Sequence, residues 1–112
     1  MAGSGIKGTT QLTAGSLTNY TLLYSVPTGY YGVYNISFTN TTNATVTIRM
    51  YIGASTTGSP VPSEAYEYQT SIVAYGVFER TGVVAGPGAN FVVSSGGSAT
   101  NVNIYGIETS TS

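Results

Sequence analysis

Between Tyr31 and Ile52 the chain alternates with a period of two. Tyr34, Ile36 and Phe38 are separated by Asn35, Ser37 and Thr39; beyond Asn40-Thr41-Thr42-Asn43, the residues Ala44, Val46, Ile48, Met50 and Ile52 are separated by Thr45, Thr47, Arg49 and Tyr51. Successive strand side chains point to opposite faces, so this pattern fits half-buried strands and excludes a helix. The interruption suits a turn, because Asn tolerates positive φ and Asn and Thr side chains bond the nearby backbone. The expectation is an antiparallel hairpin from Tyr31 to Ile52 with Ile36, Phe38 and Ile48 turned inward. One hairpin cannot bury its apolar face alone, so the remaining chain must supply a second layer.

The rest of the sequence offers strands of similar length. Tyr20, Leu22, Tyr24 and Val26 share one face, and Val26-Pro27-Thr28-Gly29 fits a type I turn with Pro second and Gly fourth. Gly53 to Ser63 reads as a loop in which Pro60 and Pro62 deny backbone donors. Strands follow over Tyr66 to Ile72 and Val77 to Val84. Ala85-Gly86-Pro87-Gly88 is a turn in which Gly88 can take the positive φ of a type II turn. Phe91 to Ser95, Gly96-Gly97 and Thr100 to Ile107 read as a closing hairpin with Val102 and Ile104 on one side. Residues 1–10, rich in Gly, Ser and Thr, read as a flexible arm, residues 11–108 as one domain, and residues 109–112 as a short tail. Seven or eight short strands without helical periodicity imply a single all-β sandwich, jelly-roll or immunoglobulin-like.

Charge is scarce. Lys7, Arg49, Arg80, Glu64, Glu67, Glu79 and Glu108 are the whole set, 6% of 112 residues, where soluble proteins average about 25%. A net charge of −1 with three cations lacks the basic footprint of a nucleic-acid binder. No apolar run reaches transmembrane length, so no membrane partner is expected. Met1 to Lys7 has no apolar core of a signal peptide, so synthesis in the cytoplasm is expected. A surface of Thr, Ser, Asn, Gly and Tyr repels its own copies weakly, which favours self-association.

The side-chain inventory argues against catalysis. Without His, Cys or Asp, the usual proton shuttles, thiol nucleophiles and most metal-ligand sets are missing, so no catalytic residue, metal or cofactor is expected. Glu64 and Glu67, three apart on a strand, face opposite ways and read as solvated carboxylates. Glu79 and Arg80 are adjacent and also face opposite ways, so each must find a partner elsewhere: Arg49 or Glu67 within the chain, or a neighbouring subunit. The ten Tyr are strand formers first, interface residues second and sugar-stacking rings third. Sequons at Asn19, Asn35, Asn40 and Asn43 follow from a chain rich in Asn, Ser and Thr.

Several segments then carry a resemblance: Leu23-Tyr24-Ser25-Val26-Pro27-Thr28-Gly29, Val46-Thr47-Ile48-Arg49, Glu67-Tyr68, Gly76-Val77-Phe78-Glu79-Arg80-Thr81-Gly82, and Val102-Asn103-Ile104-Tyr105-Gly106-Ile107-Glu108. In this order and spacing the chain resembles small β-sandwich virion proteins of tailed bacteriophages, the capsid decoration or cement proteins. The resemblance implies a non-enzymatic structural protein on the outer capsid surface of the virion, bound to the major capsid protein and to its own copies, with a homotrimer by analogy. On this reading Ile6 and Lys7 of the arm touch the capsid, and Arg49, Glu79 and Arg80 form intersubunit or fold-locking pairs. A receptor- or glycan-binding module of a head or tail fibre, or a tail or connector component, is the alternative.

Overall fold

The computed structural model describes residues 4–12, 16–54, 65–97 and 99–110. Eight strands follow one another: β1 (Ser4–Leu12), β2 (Ser16–Ser25), β3 (Tyr30–Asn40), β4 (Val46–Gly53), β5 (Ala65–Ile72), β6 (Val77–Ala85), β7 (Asn90–Ser95) and β8 (Thr100–Ser110). They form two four-stranded sheets, in the orders β1-β8-β3-β6 and β2-β7-β4-β5, with every pairing antiparallel. We call these the first and second sheets. Apart from β4 to β5, every link passes from one sheet to the other. That order is the eight-stranded jelly roll, which decides between the two sandwich types.

The inward faces meet in one core. Tyr34, Ile36 and Phe38 of β3 and Val102 and Ile104 of β8 pack against Ile48 and Met50 of β4 and Phe91 and Val93 of β7, all essentially inaccessible to water. The alternation therefore identifies the buried side of β3 and β4 correctly. Their pairing is different from the expected hairpin. β3 lies between β8 and β6, β4 lies between β7 and β5, and residues 41–45 arch over the end of the sandwich. The closing hairpin is corrected in the same way, since β7 and β8 sit in opposite sheets. Alternation reports which side of a strand is inward and says nothing about the strand alongside.

Asn40 explains why the arch is stable. Fully buried, it donates from Nδ2 to the carbonyls of Ala44 (2.7 Å), Ile72 (3.2 Å) and Val73 (3.0 Å), while Oδ1 accepts from Thr42 N (2.9 Å) and Thr42 Oγ1 (2.7 Å). One buried side chain thus ties the backbone of the arch to that of the link after β5.

Two boundaries and two local readings change. From Ser4 onward the stretch read as an arm is paired with β8 along its length, with a register shift between Ile6 and Gly8. Gly8 permits this course, because a Cβ there would lie 2.7 Å from the Leu23 carbonyl oxygen. At the other end β8 runs on to Ser110, opposite Tyr30. The face expected for Tyr20, Leu22, Tyr24 and Val26 is split by an irregularity between Leu22 and Tyr24: Leu22 is exposed, whereas Leu23 and Val26 join the core. The turn at Pro27 is closed by Tyr30 N donating to Pro27 O (3.1 Å), with Gly29 at φ 86°, one residue later than the type I turn expected. The turn at Pro87 has the expected Gly88 at φ 78°, closed by Ala89 N to Gly86 O (3.2 Å). Pro60, Pro62 and Glu64 lie outside the described residues.

Candidate interaction surface

Two glycines open a slot for the largest buried side chain. A Cβ on Gly32 would lie 2.6 Å from the Tyr34 ring and hydroxyl, and one on Gly106 would lie 2.2 Å from the Val33 carbonyl oxygen and 3.0 Å from Tyr34. The Tyr34 ring meets Phe91 edge-on at 5.2 Å, and its hydroxyl donates to Glu108 Oε2 at 2.7 Å. Tyr24, from the second sheet, donates to the same carboxylate oxygen. Glu108 is buried, and the carboxylate joins the two sheets. Both phenols are held well above their ordinary pKa, first by burial, then by the bond to Glu108, then by its charge. This cluster faces the interior, so its work is structural.

The outer face of the first sheet is the exposed counterpart. Register sets Val33 of β3 beside Ile107 of β8 on one side and Val84 of β6 on the other. Their exposures of 46%, 62% and 69% make a continuous apolar row across three strands, with exposed Tyr31 two residues along β3. Further along the same face come Tyr105 and Glu79, with the Tyr105 hydroxyl donating to Glu79 Oε2 at 3.1 Å. That bond comes first in raising the Tyr105 pKa, ahead of burial and the Glu79 charge, while a bond from Asn35 opposes it. Asn35 Oδ1 in turn accepts from Gly82 N (3.0 Å), where β6 takes a positive φ of 69°. Still further along lie Thr9, Gln11, Asn101 and Asn103, all uncharged.

A second apolar feature is the link from β5 to β6. Val73, Tyr75 and Val77 are each more than three-fifths exposed, and Tyr75 has φ 58°, the one positive φ at a non-glycine among the described residues. The expected tolerance of Asn for such a conformation is therefore not what the arch uses. The link is nonetheless held firmly, by Tyr75 N to Thr42 O (3.1 Å), Gly76 N to Val73 O (2.9 Å) and the Asn40 bonds.

The residues singled out from sequence do not converge. Ile6 and Lys7 lie on β1, with Ile6 opposite Tyr105, and the register shift follows Ile6. Arg49 lies on β4 in the second sheet, where its Nη1 donates to the Tyr20 hydroxyl at 3.1 Å and Tyr20 meets Tyr51 edge-on at 5.5 Å. Glu79 and Arg80 lie on β6, in the first sheet, both exposed. Cross-strand pairing of Glu79 or Arg80 with Arg49 or Glu67 is ruled out, since β6 and β4-β5 belong to different sheets. Sequence reasoning missed Val33, Val84, Ile107 and Tyr105. Val33 was legible as the outward neighbour of Tyr34, but joining it to Ile107 and Val84 requires the strand order. Among the described residues no group of three or more His, Cys, Asp or Glu is placed to hold a metal.

No family model matches the chain, and no curated protein matches it. Among solved structures it is similar to a chain of the cyanophage Pam1 capsid asymmetric unit, with 16% identity over 94% of this chain and 86% of that chain, and a TM-score of 0.41. A superposition that loose carries no functional argument.

Proposed function

We propose that the chain is a non-enzymatic structural protein of a bacteriophage virion, a capsid decoration or cement protein that binds the outer surface of the major capsid protein. The observation that supports this best is the Ile107-Val33-Val84 row, an exposed apolar strip on a sheet face almost without charge. Contiguous exposed apolar surface marks contact sites, and a neutral surround is inexpensive to desolvate. A jelly roll serves capsid proteins, lectins and cupins alike, so the fold permits the reading without selecting it. Each contact is small, and repetition on a symmetric shell supplies avidity. The apolar Val73-Tyr75-Val77 link, distant from the row along the sandwich, then meets neighbouring copies. Such contacts would give the homo-oligomer, a trimer where three links converge. Ile6 and Lys7 on the edge strand β1 add to the shell contact in this arrangement.

Immunogold labelling of phage particles carrying this gene tests the proposal. Dense label over the head is expected. Label confined to tail or fibre tips, or none with an antibody that recognises the purified chain, overturns it.

A further inference from the structure

The outer face of β1 and β8 holds an open groove of about 410 Å³ lined by Thr9, Thr10, Gln11, Asn101 and Asn103. Its volume lies within the range of small-molecule sites, roughly 300–1,000 Å³. Register arranges the outward residues in two rows across three strands, Gln11-Asn101-Thr39 and Thr9-Asn103-Ser37. Every member is uncharged, and each hydroxyl or amide both donates and accepts. Elsewhere in the fold, amides are committed to the chain: Asn35 to Gly82, Asn40 to three carbonyls, Asn90 to Ser25 and Ala54. No side-chain bond of that kind engages Gln11, Asn101 or Asn103 among the described residues.

Tyr105 stands next in line. It follows Asn103 by two residues on the same face of β8, about 7 Å along the strand, and its hydroxyl donates to Glu79. From Asn101 to Tyr105 is roughly 13 Å, the length of a short oligosaccharide. A sugar hydroxyl is donor and acceptor at once and so matches an amide, while a pyranose ring offers an apolar face to an aromatic one. An anionic ligand fits worse, since the described lining has no cation and Glu79 lies just beyond Tyr105. A purely apolar ligand would leave the Gln11, Asn101 and Asn103 amides without partners.

We propose that this face binds a neutral oligosaccharide, with Gln11, Asn101 and Asn103 as its hydrogen-bonding groups and Tyr105 as its stacking ring. Attachment to a capsid is not required for this; Asn101 and Asn103 lie four or more residues along β8 from Ile107, and Tyr105, two residues from Ile107, borders the apolar row. The purified chain is applied to an array of uncharged oligosaccharides printed beside sialylated and sulfated glycans. The tightest neutral binder is then titrated calorimetrically against the wild type, Asn103→Ala, Tyr105→Ala and Tyr105→Phe, with melting curves for each. Binding to neutral spots is expected, weakened about tenfold or more by Asn103→Ala and by Tyr105→Ala and within about threefold of wild type for Tyr105→Phe. Chemical-shift mapping on the wild type needs no variant, and shifts confined to β1, β8 and their neighbours are expected. No neutral binder, binding confined to charged glycans, titrations unmoved by Asn103→Ala and Tyr105→Ala, or shifts centred elsewhere overturns the proposal. The particle label reports on shell attachment alone, so either idea can fail without the other.

Discussion

Glu108 gives the interior a pH dependence that follows from its two phenols. Tyr24 and Tyr34 both donate to it, and both hold their protons more tightly in the folded chain than in the unfolded one. A folded pKa raised above the unfolded value of about 10 leaves the contribution intact below that pH and removes it as pH climbs further. Stability to denaturant should therefore be flat from neutrality to about pH 10 on this account and fall steeply above it, with a shallower fall in Tyr24→Phe. A profile equally steep in both proteins would count against the cluster as the cause. Ile48 tests the apolar side of the same interior. It is wholly buried, and a carboxylate in its place has no partner, at a cost of several kcal/mol against a total stability of about 5–15. Ile48→Asp should show no cooperative melting transition; a soluble, cooperatively melting variant would mean that the inward face of β4 is misassigned.

At the scale of elements, strand formation and strand placement obey different rules. The period of two around Ile36, Phe38, Ile48 and Met50 fixes what each strand buries, and it was legible because it is local. Whether β3 lies against β4 depends on how residues 41–45 dispose of their backbone groups, and Asn40 settles that by bonding carbonyls more than 30 residues away. Nothing in the sequence around Asn40 signals those distant acceptors. Cross-strand pairing of the charged residues is set by the same rule, since Arg49 and Glu79 could be paired on paper only while their sheets were unknown. The β5–β6 link shows an element carrying strain: Tyr75 at φ 58° sits where L-residues pay roughly 1–2 kcal/mol. Tyr75→Asn, which suits that conformation, should raise the urea midpoint of the isolated chain by an amount worth about 0.5–1 kcal/mol. A lowered midpoint would show that the exposed ring makes contacts outweighing its backbone strain.

For the whole molecule, the arrangement along the sandwich matters more than any single contact. The chain is 46 Å along its longest axis. Val33 and Ile107 lie four positions or more along their strands from the Asn101-Asn103 groove, so one end of a face can be covered while the other stays in solvent. Shell binding through Val33, Val84 and Ile107 would bury apolar surface with few charges, and salt screens only charges. Attachment of the purified chain to decoration-free shells should therefore be nearly independent of ionic strength. Replacing Val33, Val84 and Ile107 together by Thr removes the apolar row and keeps β-branched residues suited to strands, so the melting temperature should stay close to wild type while shell binding drops at least about tenfold. Co-sedimentation with shells measures both effects. Binding that collapses at moderate salt, with the triple variant still bound, would move the contact away from this row and towards the few charged residues, Lys7 and Arg80 among them. The triple variant is informative because the groove is left intact: if shell binding is lost while oligosaccharide binding persists, the two ends of the face act independently.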